Sequence, residues 1–483
     1  MLCVYSGWDS VANANAQPKV FLVTATPTFT ELGLAPALLN SLQHLNYQHM
    51  TPIQAQSLPW ILQGNDLIAQ AKTGSGKTAA FSLGLLQRLQ SSRSKPQALV
   101  LCPTRELAEQ VAQEIRRLAS SIENVKVLTL CGGVPFRGQA SSLEYGAQIL
   151  VGTPGRIEEH LNRETLDLSQ LTQLVLDEAD RMLEMGFEAA LNAIIERTPK
   201  NRQTLLFSAT FPKAIEQLAA HILRQPKSVK VDAVHDEHQL RQHFYPIEEE
   251  SERIEVVKRL LMAHQPRSTV VFYNTKIEAQ QLANQLAREG FSVLALHGDL
   301  EQRERDQALL QFANRSATIL VATDVAARGL DIAAVEVVIN AQLAHDPEVH
   351  LHRVGRTGRA GKQGFACSLY SPRDQFKLQQ LREQLNLDIT AEALPEKNVL
   401  FQPIIKAPMV TLQIEGGKKQ KIRAGDILGA LTGEGGIAGD QVGKIQITDI
   451  RAFVAVTKAA SKQALQKLGQ GTLKGKRIRV RFL

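Results

Sequence analysis

No apolar run in this 483-residue chain approaches the ~18 residues that a membrane-spanning helix needs. Cysteine is scarce too: Cys3, Cys102, Cys131 and Cys367 are scattered, with no C-x-x-C pair and no histidine at ligand spacing. That spacing excludes a disulfide framework and a zinc site, and the thiols are expected to be reduced and mostly buried. Aromatic residues make up only 5% and charged residues 21% of the chain, an ordinary globular balance that leaves no case for wholesale disorder. The amino end lacks a basic segment followed by an apolar stretch and a small-residue cleavage site. A cytoplasmic location is expected, with residues 1–26 a poorly ordered extension.

What is present is enough apolar material, 44% of 483 residues, for about three domains. The formal charge of +7 is unevenly spread. Residues 401–483 hold fifteen Lys and Arg against five Asp and Glu, a balance of +10, so residues 1–400 sum to −3. A basic appendage on a near-neutral body predicts a polyanion-binding module.

Short Val/Ile/Leu-rich runs (DLIAQA, ALVLCP, KVLTLCGG, QILVGTP, QLVLDEAD, QTLLFSAT) alternate with helix-length amphipathic stretches. Continuous apolar strands of this kind belong to parallel sheets covered by helices on both faces. A second series (STVVFYN, FSVLALHG, ATILVATD, VEVVINAQ, GFACSLY) follows a polar stretch around Asp232 to Gln242. The parse is two tandem α/β domains over 27–231 and 243–385, with linkers at 232–242 and 386–407 and a third domain over 408–483.

Chemistry enters at Ala71-Lys72-Thr73-Gly74-Ser75-Gly76-Lys77-Thr78, between a strand-like run and a helical one. A glycine-rich loop there lets backbone N–H groups wrap phosphates at a helix N-terminus; Lys77 would neutralise the β/γ oxygens and Thr78 could ligate Mg²⁺. The apolar run Leu174 to Leu176 delivers Asp177-Glu178-Ala179-Asp180 to a strand's carboxyl end, where doubly wound sheets place ligands. Asp177 is expected to hold the metal, through water, and Glu178 to orient and deprotonate the attacking water.

From Phe29 to Arg359 further motifs follow in order: Gln54 in MTPIQ, PTREL (Pro103 to Leu107), Gly132-Gly133, TPGR (Thr153 to Arg156), SAT (Ser208 to Thr210), VVFYN, QRER (Gln302 to Arg305), ATDVAARGLD (Ala322 to Asp331) and HRVGRTGR (His352 to Arg359). With these the chain resembles the DEAD-box ATP-dependent RNA helicases. The resemblance implies two RecA-like domains, ATP as nucleotide, Mg²⁺ as metal and RNA as partner. Gln54 is suited to pairing with the adenine edge and Phe29 to stacking on the base, and Asp331 is implied at the ribose. Family members often carry Gly where this chain has Asn46. Arg356 and Arg359 are implied as arginine fingers and Arg353 as a tie to the nucleotide-side carboxylates. Pro103, Thr104, Arg105, Gly132, Gly133, Thr153 and Arg156 on one domain, with Gly298, Arg305 and Thr323 on the other, would track an RNA backbone without reading its sequence. Asp180, Ser208 and Thr210 would couple the two sites.

From Met409 onward the order is strand, helix, strand, strand, helix, strand, the ferredoxin-like α+β arrangement of RNA-recognition domains. Phe453 in RAFVAV is its one ring on a central strand, so phosphate or shape reading stands beside base stacking. In the closing LKGKRIRVRFL, Arg477, Arg479 and Arg481 alternate with Ile478, Val480 and Phe482. Read as a last strand, that period puts three cations on an exposed, RNA-binding sheet face and three apolar side chains on two helices. The wording GGKKQKIRAGDILGALTGEGGIAGDQVGKI resembles the bacterial DbpA subgroup, which implies a hairpin of large-subunit ribosomal RNA as target, a role in large-subunit assembly, pre-ribosomal particles as partners and a monomeric protein that binds no membrane. A general helicase of mRNA turnover or cold adaptation and a non-catalytic RNA scaffold remain the alternatives.

Overall fold

Each apolar run of the first half becomes a short strand, most of them buried on both faces. The structure, a computed structural model, describes residues 27–71, 74–231, 240–324, 335–358, 364–385 and 387–483. The extension 1–26 and the site residues Lys72, Thr73, Asp331 and Arg359 lie outside the described residues, as does most of the connection 232–242. The chain divides into two compact units that part near residue 234.

The first unit holds seven parallel strands: β1 (Leu67–Gln70), β2 (Ala98–Leu101), β3 (Val127–Leu130), β4 (Ile149–Gly152), β5 (Gln173–Leu176), β6 (Gln203–Ser208) and β7 (Lys227–Lys230). Their spatial order is β3-β4-β2-β5-β6-β1-β7. Two separate apolar layers, one around Phe81, Val100 and Phe207 and the other around Leu99, Leu174 and Leu206, cover its two faces. Adjacent residues of one strand, Leu99 and Val100, therefore belong to different layers, as the pleat requires. All seven strands run the same way, so the loops after them gather along one edge.

The second unit opens with a six-stranded parallel sheet of β8 (Leu240–Pro246), β9 (Thr269–Tyr273), β10 (Val293–Leu296), β11 (Ile319–Thr323), β12 (Val337–Asn340) and β13 (Gly364–Tyr370), ordered β10-β11-β9-β12-β13-β8. It ends in an antiparallel sheet of β14 (Met409–Ile414), β15 (Val442–Ile447), β16 (Ala452–Thr457) and β17 (Val480–Phe482), ordered β15-β16-β14-β17. With helices Ala424–Thr432 and Ser461–Gln470 between strands, this is the βαββαβ arrangement.

The residues joining the two sheets are tied down. The Glu392 amide donates to Phe244 O at 2.9 Å, Arg259 Nε donates to Pro395 O at 2.7 Å, and the Ala407 amide donates to Ser292 Oγ at 3.0 Å. Segment 387–407 is thereby a strap along the second parallel-sheet domain.

The last sheet corrects an expectation. Leu412, Ile414, Val454 and Val456 face the apolar core under the helices, but the opposite face is covered as well. Thr411 is 1% exposed, Gln413 0% and Phe453 8%. Thr411 Oγ1 meets Asn314 Nδ2 at 3.2 Å and Ser316 Oγ at 2.7 Å, and the Met409 amide donates to Arg315 O. The preceding domain lies against the face on which RNA was expected. The closing strand is shorter than its alternation predicts: Arg477 and Arg479 precede β17, Ile478 and Val480 pack on the core, and Phe482 is 44% exposed. Arg481 pairs in register with Gln413 and sits 4.0 Å from Glu415. Phe482 pairs in register with Leu412 at this sheet edge.

Candidate functional site

The strand order sorts the motifs into two neighbouring groups on one sheet edge. The phosphate-type loop follows β1, the Ser208–Thr210 segment ends β6 and the acidic tetrapeptide follows β5; these strands are adjacent. The Ala71 amide donates to Ser208 O at 3.1 Å, and Gln70 Nε2 donates to Ala209 O at 3.2 Å.

Gly76 adopts φ 95°, and a Cβ there would lie 2.6 Å from Gln54 Nε2, so glycine is required both by backbone and by space. Lys77 opens the following helix and is 5% exposed, with Thr78 half-buried beside it. Among the described residues, Lys77 Nζ, Ser75 Oγ and Asp177 Oδ1 are buried atoms with no hydrogen-bond partner. Leaving such groups unpaired costs about 1–3 kcal/mol each, more when charged. A cation, a hydroxyl and a carboxylate held this way fit a phosphate chain with a divalent cation. Among the described residues no group of three or more His, Cys, Asp or Glu could hold a metal. Burial pushes the Asp177 carboxyl up to about 6, with nearby Lys77 pulling the other way. Burial likewise drives the neighbouring Cys102 thiol well up; Cys131 and Cys367 are also buried free thiols.

Glu178 turns the chain from β5 into the helix Ala179–Glu184 with φ 53°, a left-handed conformation unusual for glutamate. Its Oε2 lies 3.4 Å from Arg181 Nη1. Asp180 faces the next strand end: Oδ2 accepts from the Ala209 amide at 3.1 Å and from the Thr210 amide and hydroxyl, each at 3.0 Å. The Asp180 amide donates to Ser208 Oγ at 3.3 Å, and Ser208 Oγ donates to Thr210 O at 2.7 Å.

The second group follows β2, β3 and β4, which are also adjacent. Pro103, Thr104 and Arg105 follow β2, and Thr104 Oγ1 caps the helix Arg105–Leu118 by accepting from the Leu107 amide at 3.2 Å. Gly132 and Gly133 form an exposed turn after β3; Thr153 and Arg156 follow β4. A Cβ at Gly132 would meet nothing within 4 Å, so no internal contact demands glycine there. Arg156 Nη1 donates to Val134 O at 2.9 Å and to Gln139 Oε1 at 2.7 Å, while Nε pairs with Glu159 at 3.0 Å. In the second unit Gly298 is exposed after β10, Thr323 ends β11, and Arg305 lies on the helix Gln302–Ala313. A Cβ at Gly298 would also meet open space.

Three expectations shift. Phe29 is 3% exposed and packs edge-on against Tyr47, with centroids 6.2 Å apart, so its ring is part of the core rather than an open stacking face. Gln54 is 1% exposed: Oε1 accepts from the Thr51 amide at 2.9 Å and Nε2 donates to Gly76 O at 3.1 Å. Its carboxamide is built into the phosphate-type loop, keeping one N–H and one lone pair for a base. Arg353, 1% exposed, fills its fork within its own domain. Nε and Nη2 donate to Asp324, both at 2.6 Å, Nη2 also to Asn274 Oδ1 and Nη1 to Gln342 O, each at 2.6 Å. Asp324 thus takes the role expected of a nucleotide-side carboxylate; the signal was present, since an apolar run delivers it to a strand end as another delivers Asp177. Arg356 is buried just beyond the same helix, Pro347–Val354. Asn46, where relatives often carry glycine, adopts φ 57°, a conformation that asparagine tolerates.

Comparison with known proteins places these motifs in context. Residues 51–218 match the DEAD/DEAH box helicase model, 252–361 the helicase conserved C-terminal domain and 411–482 the DbpA RNA binding domain. ATP-dependent RNA helicase DbpA of Escherichia coli is 50% identical over 450 residues, covering 93% of this chain and 98% of that protein. The DEAD-box ATP-dependent RNA helicase CshA of Bacillus cereus is 43% identical over 354 residues, 73% of this chain and 67% of its own. Among solved structures, S. cerevisiae Dbp5 bound to RNA and ADP BeF3 aligns with a TM-score of 0.69 at 32% identity, covering 76% of this chain and 95% of that one. No helix among the described residues is long and apolar enough to cross a membrane.

Proposed function

The chain belongs to the DEAD-box ATP-dependent RNA helicases of the DbpA type, and from that membership we propose that it spends ATP to open short RNA duplexes in large-subunit ribosomal RNA. The observation that carries the catalytic half is the set of buried atoms Lys77 Nζ, Ser75 Oγ and Asp177 Oδ1, which have no partner among the described residues, beside the Asp180–Thr210 lock. In this reading Ala71 to Thr78, Lys72 and Thr73 included, cradle the triphosphate, Lys77 neutralises the β/γ oxygens, and Thr78 and Asp177 hold Mg²⁺ through water. That ion would neutralise charge building on the phosphate oxygens. Glu178 orients and deprotonates the attacking water; Arg356 and Arg359 supply positive charge to the transferring group. Gln54 reads adenine and Asp331 the ribose.

The loops after β2, β3 and β4, with Gly298, Arg305 and Thr323, hold one RNA strand by its backbone. Asp180, Ser208 and Thr210 report the state of the phosphate site to that groove. The working parse is 27–231 and 243–385 for the helicase domains and 408–483 for the targeting domain, in a cytoplasmic monomer. Targeting rests on the basic excess of 401–483 and the resemblance of its wording to the DbpA subgroup; with Phe453 only 8% exposed and Thr411 held by Asn314 and Ser316, phosphate reading by exposed Arg477 and Arg479, alongside Arg481, is favoured over stacking on Phe453.

The test is ATPase stimulation of the intact chain across ribosomal RNA fragments and random RNAs of equal length. One large-subunit hairpin should act at far lower concentration than the rest; equal stimulation by all would overturn rRNA targeting and favour a general helicase.

A further inference from the structure

Gln139 lies in no motif named above, yet it joins two of them. It sits on the helix Phe136–Glu144, 6% exposed, and its Nε2 donates to Cys131 O at 3.0 Å. Its Oε1 is then the acceptor for Arg156 Nη1 at 2.7 Å and for His160 Nε2 at 3.2 Å. Turning the carboxamide over would oppose oxygen to the Cys131 carbonyl and N–H to the Arg156 donor, so this orientation is fixed. His160 therefore carries its hydrogen on Nε2, and the Thr165 hydroxyl lies 2.8 Å from Nδ1 and 3.2 Å from His160 O. Burial, then Arg156, hold the His160 imidazole down to about 4, leaving it neutral.

The side chains close into a ring. Arg156 pairs with Glu159 and Glu159 with Arg163 at 2.9 Å. The Arg163 guanidinium lies 4.3 Å from the Phe136 centroid, Phe136 stacks on His160 at 4.3 Å, and His160 returns to Gln139. A cluster that merely pinned two helices would need no particular outlet. This one grips Cys131 O through Gln139 and Val134 O through Arg156, the two carbonyls that bracket the exposed Gly132–Gly133 turn.

We propose that Gln139, oriented by Cys131 O and Arg156 and braced by His160, is the positioning residue that sets the Gly132–Gly133 turn at a fixed spacing from Thr153 and Arg156, so that both segments meet neighbouring phosphates of one RNA strand. The inference rests on the reading that these segments follow RNA. Gln139 touches no RNA; it removes the cost of ordering the turn on binding.

The experiment measures, for the full chain, the RNA concentration giving half-maximal ATPase stimulation and the KM for ATP at saturating RNA. Gln139→Met keeps length and loses every hydrogen bond, and should raise half-saturating RNA about tenfold while the KM for ATP stays within about twofold. Thr165→Val, which removes only the hydroxyl that fixes the imidazole, should raise it about two- to threefold. Gly132→Asp, sterically open but anionic, tests the underlying reading. If Gly132→Asp weakens RNA and Gln139→Met does not, the inference falls and the reading stands. If Gly132→Asp changes nothing, both fall. Should Gln139→Met lose ATP and RNA together, Thr165→Val decides: a rise in half-saturating RNA alone supports the proposal, and no rise overturns it.

Discussion

Asp180 and Thr210 are joined twice: Oδ2 of the carboxylate accepts both the backbone N–H and the hydroxyl of Thr210, each at 3.0 Å. One residue comes from the end of β5 and the other from the end of β6, so a shift in either strand end is felt by the other. Removing the hydroxyl from a buried, charged acceptor costs about 1.5–3 kcal/mol. Thr210→Val should slow strand separation about tenfold while RNA-stimulated ATP turnover changes less than about threefold. Equal loss of both, measured by duplex unwinding and phosphate release, would make the bond part of hydrolysis rather than of coupling.

Glu178, proposed to act on the attacking water, holds a left-handed backbone at the N-cap of its helix. Glu178→Gln keeps shape and removes the proton acceptor, so kcat for ATP should fall by about 10² or more with nucleotide binding retained. Near-normal steady-state turnover would take Glu178 out of this role.

His350 is fully buried, its Nε2 donates to Gln242 Oε1 at 2.9 Å, and it is pushed down to about 3, first by burial and then by Arg353. Between about pH 3 and 6.5 the unfolded chain binds a proton here that the folded chain refuses, so stability rises with pH across that window. The contribution is complete above about pH 6.5 and lost on acidification, about 2 kcal/mol between about pH 7 and 5. His160 acts in the same sense down to about 4. Denaturant titrations should show the second unit losing this slope in His350→Gln; an unchanged slope would assign it to other groups.

Arg479 is exposed before β17, with its carbonyl accepting the Glu415 amide at 2.9 Å. If it pairs with a phosphate, Arg479→Ala should weaken ribosomal RNA binding uniformly and reduce the slope of log affinity against log salt by about 1. Binding isotherms at several salt concentrations check this; an unaltered slope would remove Arg479 from the interface.

Most of the nucleotide half was legible because its information is local. An apolar run followed by Asp177-Glu178, or preceding Gly74 to Thr78, says strand end and ligand in the same few letters. The last sheet's topology was legible for a like reason, in the sequence of periods. What was hidden depends on partners remote along the chain. Asn314 reaches Thr411 across 97 positions, and nothing in VTLQI announces that both faces of the strand are buried. Arg353 was expected to tie to the nucleotide-side carboxylates, but HRVGRTGR does not show that its partners, Asp324 and Asn274, are supplied from its own domain 29 and 79 positions earlier. Phe29 fits either a stacking face or a core ring, and only its contact with Tyr47 separates them.

The covered sheet has an engineering consequence. An RNA-recognition module is often treated as an interchangeable cartridge, but here the hydroxyl of Thr411 is matched to Asn314 and Ser316, and the strap 387–407 is fastened along the same body. A chimaera that exchanges only 408–483 would leave those donors facing an unmatched surface. Retargeting this helicase to another RNA therefore calls for rewriting the loops at the rim of the module while keeping the face of β14 as it is.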